Sequence, residues 1–79
     1  LVRVGDKYEF EGVTFQIEGI TPIIFPDQSR LYRVDYRLID DKYTTPLGIC
    51  IVESIYKIKN KAESIVKEYK TMLANIAKV

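Results

Sequence analysis

Histidine, the commonest general acid and base, does not occur in this 79-residue sequence, and cysteine occurs once, at Cys50. Little is left that could do chemistry. Asp40 and Asp41 are adjacent carboxylates, but in the turn-like stretch IDDKY they suit backbone hydrogen bonding better than a shared proton. Cys50 lies in the apolar run GICIV with no imidazole to activate it, which fits an inert core filler. Asp27 and Ser29 follow Pro26 as loop residues do. The four glycines are scattered and form no phosphate-cradling loop. The same counts exclude the usual zinc motifs and a disulfide within the chain. The expectation is a protein that is not an enzyme and uses no cofactor or metal.

Electrostatics offers more. Net charge is +1, yet residues 54–79 carry six lysines against Glu63 and Glu68, while residues 1–53 hold more acids than bases. Lys57, Lys59, Lys61, Lys67, Lys70 and Lys78 could neutralise phosphates, with Arg33 and Arg37 adding contacts from the strands. The lysines spread around a helix without forming one stripe, and that helix has no arginine to read base edges. A solvated face therefore accounts for them better, and nucleic-acid binding through Lys57, Lys61, Lys67, Arg33 and Arg37 is the alternative. A membrane-surface helix would need bulky aromatics along its apolar border. The chain contains neither an apolar run long enough for a transmembrane helix nor an N-terminal signal-peptide core, so a reducing, cytoplasmic setting is expected. Abundant isoleucine, tyrosine and lysine, with no tryptophan, point to a heat-adapted source.

The elements that hold these residues can be read from periodicity. In KYEFEGVTFQI, a two-residue turn at Glu11-Gly12 sets Phe10 against Val13 and Tyr8 against Phe15, all on one face. In LYRVDYRLIDDKYTTPLGICIV, a turn at Asp40-Asp41 would set Leu38 against Tyr43, Tyr36 against Thr45 and Val34 against Leu47. Pro46 then makes the last strand an edge, or bulges it near Gly48. Between the hairpins, Pro22 and Pro26 bracket Ile23, Ile24 and Phe25, which read as a loop. That loop either closes one end of the core as a flap or docks a partner. Residues 1–4 could add a short edge segment. The polar and charged alternates, such as Lys7, Glu9, Gln16, Arg33 and Asp35, should line the opposite face.

The expected fold is α+β: a four-stranded antiparallel sheet within 1–53, order β-β-β-β-α, and a long amphipathic helix over about 54–78 across one face. The whole chain makes one small domain. Ile55, Ile58, Ala62, Ile65, Tyr69, Met72, Ile76 and Val79 form a heptad seam, widened by Val66, Leu73 and Ala77. Ser54 is a candidate N-cap, and Asn60 with Glu63 a capping box for a shorter helix. The expected core comprises Tyr8, Phe10, Phe15, Ile17, Val34, Tyr36, Leu38, Leu47, Ile51, Ile58, Ile65, Tyr69 and Met72.

At about 1.5 Å per residue such a helix is roughly 37 Å long, whereas six-residue strands span roughly 20 Å. Its end should overhang the sheet while still apolar. The expectation is a protein-interaction module that forms a homodimer through Ile65, Tyr69, Met72, Leu73 and Ile76, leaving the strand face or Ile23–Phe25 for another protein.

Overall fold

A computed structural model describes residues 1–77. The element order is β1 (Lys7–Phe10), β2 (Val13–Ile24), β3 (Arg30–Ile39), β4 (Gly48–Val52), a 3₁₀ turn (Ile55–Lys57) and α1 (Ile58–Ala77). The four strands form one antiparallel sheet in chain order, β1-β2-β3-β4. This is the expected α+β architecture. Lys78 and Val79, offered for the lysine face and the seam, lie outside the described residues.

The first hairpin forms in the expected register, Tyr8 opposite Phe15 and Phe10 opposite Val13. Glu11 and Gly12 both take positive φ, 51° and 85°, as a two-residue turn matching strand twist requires. Residues 1–4 add no strand. Arg3 and Asp6 close a turn, in which the Arg3 N–H donates to the Asp6 carboxylate and the Asp6 N–H to the Arg3 carbonyl. Gly5, at φ 95°, then donates to the Ile17 carbonyl.

Two expectations fail, each for a local reason. The segment holding Ile23 and Ile24 is strand, because β2 continues through Pro22 to pair with β3 as far as Ile24 opposite Arg30. Ladder geometry explains the tolerance. Ile17 uses its N–H and C=O toward the β1 side, and one bulge follows between Ile17 and Gly19. By alternation, Pro22 directs its missing donor away from β3, toward a free edge. Gly19 follows the bulge, and a Cβ there would lie 2.9 Å from the Asp35 carboxylate, which would have to turn aside. Only Phe25 lies in the turn, which closes through the Phe25 N–H to the Ser29 carbonyl. The Asp27 carboxylate accepts from the Ser29 N–H and hydroxyl, which holds its pKa below the ordinary carboxylate value.

The second failure is the β3–β4 register. Val34 stands opposite Cys50 and Tyr36 opposite Gly48, displaced by an odd number of residues from the expected pairing. The turn moves by one residue, to Asp41-Lys42 between Asp40 and Tyr43, which sets Leu38 opposite Thr45. The odd residue enters as a bulge between Thr45 and Gly48, around Pro46 as expected. One Asp40 carboxylate oxygen accepts from both the Lys42 and Tyr43 N–H groups at 2.9 and 2.7 Å, and the Asp40 N–H donates to the Tyr43 carbonyl. An odd shift reverses every side chain. Cys50 and Val52 are buried, whereas Leu47 and Ile51, expected in the core, are exposed, as is Tyr43.

The core joins Val13, Phe15, Ile17, Val34, Leu38, Cys50 and Val52 of the sheet to Ile58, Ala62 and Val66 of α1. Tyr8, Phe10, Tyr36, Ile65 and Tyr69 pack half-buried around it. Phe15 and Tyr36 stack at 4.6 Å with their planes 20° apart. Ser54 caps the 3₁₀ turn, its hydroxyl accepting from the Tyr56 N–H, and α1 follows at Ile58 without restarting at Asn60.

The Asp40 turn is also a pH-sensitive joint. The Tyr43 and Lys42 N–H groups, with the Tyr69 hydroxyl at 2.9 Å, hold the Asp40 carboxyl below its ordinary pKa. A depressed acid stabilises the fold above its unfolded pKa and loses that contribution as pH falls through its folded value. Asp40→Ala should therefore melt lower than wild type near neutral pH, and the gap should close below the ordinary carboxylate range. Thermal melts across an acid series check this.

Candidate interaction surfaces

Three sets of residues stand out once the fold is known, and they lie in different places. The first is the end of α1. Sheet-facing burial runs Ile58, Ala62 and Val66, with Ile65, Tyr69 and Leu73 half-buried. The helix meets the end of the sheet where the Tyr69 hydroxyl donates to Asp40 and the Lys70 ammonium to the Glu11 carbonyl at 2.9 Å. Beyond that point Ile76 is 67% exposed and Met72 57%, so Met72 does not belong to the core as expected. Leu73, Ile76 and Ala77 face an open cleft whose far side is Val13, Asp40 and Tyr43. Of the five residues expected at a dimer seam, Ile65 and Tyr69 already pack on their own sheet, while Met72, Leu73 and Ile76 lie together past it.

The second set is the β2–β3 arm. Ile24 and Phe25 are exposed at its tip, and Ile23 is half-buried opposite Leu31. None of the three joins the core cluster or packs against it, so these residues do not close over the core as a flap.

The third set is the cations, and the fold does not gather them. Lys57 and Lys61 border a groove beside β4, whereas Lys67 lies on the other helix flank near Phe10 and Glu63. Arg33 and Arg37 stand on the sheet face opposite the helix. Arg33 pairs with Asp35 at 3.0 Å, Arg37 with Glu18 at 3.5 Å and Lys57 with Glu53 at 3.2 Å. Such exposed pairs add little stability but hold the cations beside carboxylates.

One surface escaped the sequence reading. Leu38 directs its N–H and C=O toward Thr45, so by alternation Tyr36, Val34 and Tyr32 direct theirs to β4. Their partners Gly48, Cys50 and Val52 point back, which leaves the N–H and C=O of Ile49 and Ile51 facing outward. The two side chains lie on the helix-free face, 53% and 44% exposed. Burial raises the pKa of the Cys50 thiol beside them, with Lys61 opposing and Asp35 reinforcing the shift.

Among the described residues there is no cluster of three potential metal ligands, and no helix is long and apolar enough to cross a membrane. No known protein family, curated protein or solved structure matches the chain.

Proposed function

We propose that this protein is a non-enzymatic interaction module that assembles as a homodimer through the overhanging end of α1. The contrast between Ile58 and Ile76 carries this reading. They are eighteen residues apart, about five turns at ~3.6 residues per turn, so they point the same way. Ile58 is wholly buried and Ile76 is 67% exposed, because the sheet has ended beneath it. A large apolar side chain left in water forfeits about 1.5–3 kcal/mol. Two such ends crossing antiparallel cover Met72, Leu73 and Ile76 of both copies. The arm tip at Ile24 and Phe25 stays clear of that contact and is available to a second protein.

Nucleic-acid binding, the alternative, draws no support from cations divided between opposite faces, with Arg33, Arg37 and Lys57 paired to carboxylates.

Light scattering over a wide concentration range tests the dimer. Wild type is expected to reach twice the mass of Ile76→Glu at the same concentration, and Ile76→Glu to lose the helix-end contact while keeping its circular dichroism. A wild-type protein that stays monomeric throughout ends this reading.

A further inference from the structure

The sheet has three free margins, and two are defended. β1 carries Lys7 and Glu9, both exposed, and the outer part of β2 carries Pro22. β4 has neither charge nor proline in GICIV, and among the described residues nothing pairs with the four backbone groups that Ile49 and Ile51 turn outward. An uncharged edge with exposed apolar side chains is a template for another strand. We infer that β4 pairs antiparallel with β4 of a second copy about a two-fold axis at Cys50, joining two sheets into one of eight strands. This contact is separate from the helix-end contact and does not depend on it.

The occupant follows from self-complementarity. With Cys50 opposite its counterpart, Ile49 faces Ile51 of the second copy and Ile51 faces Ile49. The outward groups then make four reciprocal hydrogen bonds, and four isoleucines meet on the helix-free face. Charge on the other face obeys the same symmetry. Lys57, Glu53 and Lys61 flank the Val52 end of β4, and since Lys57 pairs with Glu53 at 3.2 Å, the net positive charge there is that of Lys61, close enough to bias the Cys50 thiol toward ionisation. Glu68 lies toward the Gly48 end, close enough to oppose ionisation of Tyr36, which stands opposite Gly48. Reversing the second copy sets its Glu68 toward Lys61 of the first, and the reverse. A parallel arrangement would set like charges together.

The test uses the full chain carrying Ile76→Glu, so that the helix contact cannot contribute. This variant is expected to dimerise as its concentration rises. Adding Ile51→Lys, on an exposed side chain, should return it to a monomer with unchanged circular dichroism. Ile51→Pro should do the same by removing an outward N–H. Directly opposed cysteines at a non-hydrogen-bonded pair bring Cα atoms to about 4.5 Å, within disulfide reach. Copper(II)-phenanthroline, accepting the two electrons, should therefore join the Cys50 thiols in the Ile76→Glu dimer and leave them free in the Ile51→Lys form. An Ile76→Glu protein that is monomeric at every concentration overturns the inference and leaves the edge to an unrelated strand. So does a dimer indifferent to Ile51→Lys, or one whose Cys50 thiols do not join. Loss of the helix contact alone would show as wild type and Ile76→Glu having the same mass.

Discussion

Phe15→Ala should lower the stability of the domain by about 3–5 kcal/mol, the cost of emptying an aromatic site in a packed core. Phe15 is wholly buried, stacks on Tyr36, and stands between Tyr8 of β1 and Leu38 of β3. The neighbours cannot collapse readily into the space, because Tyr36 is held from its other side. A Cβ on Gly48 would already lie 2.6 Å from the Tyr36 ring, so that ring fills the room a side chain at 48 would need. A chain of 79 residues ordinarily has roughly 4–12 kcal/mol of stability in total. The variant should therefore unfold at a much lower denaturant concentration, or populate the unfolded state without any. Urea titration followed by far-ultraviolet circular dichroism measures this. A loss below about 1 kcal/mol would place the ring outside the core.

The second large effect comes from a pair of variants one residue apart. Val52→Asp should abolish folding near neutral pH, while Ile51→Asp should leave the fold intact. Val52 is buried opposite Tyr32 beneath α1, and a carboxylate there would be stripped of water among apolar neighbours, with Lys57 and Lys61 only along the adjoining groove. Burying a polar or charged group without a partner costs several kcal/mol, or forces the group to neutralise. Ile51 faces solvent on the helix-free side, where aspartate loses only partial apolar contact and sits across from Arg33. The opposite outcome would restore the register in which Leu47 and Ile51 turn inward. Melting curves of both variants decide the matter.

These variants also mark what could be read from residues alone. The first hairpin was legible because its turn and its apolar alternation demanded the same pairing: Glu11-Gly12 leaves no slack between Phe10 and Val13. Alternation in 32–38 was equally plain, but the connection to GICIV was not. Asp40 precedes the two-residue turn at Asp41-Lys42 instead of lying in it, its carboxylate capturing the Lys42 and Tyr43 N–H groups, and the bulge around Pro46 then adds the odd residue. GICIV is apolar at every position except its glycine, so its composition cannot say which side faces in. Pro22 misled for a related reason, since its tolerance depends on which edge of β2 is bare, a property of the neighbours. The helix end was legible as a matter of length: apolar residues continued past any sheet these strands could build. The β4 edge was half visible. Pro46 suggested an edge strand, but the outward isoleucines required the true register.

The spatial order of the strands repeats their order along the chain, β1-β2-β3-β4. Each ladder can therefore form by closing a short segment between neighbours, and the closure entropy rises only slowly with the length enclosed. The steps that join distant parts of the sequence are the landing of α1 on the finished sheet and the tethers from Tyr69 and Lys70 back to the first two turns. Topologies of this kind keep the search local and fold faster than sheets with crossed connections. Docking of α1 is therefore the step that bears the largest loop-closure cost in this fold.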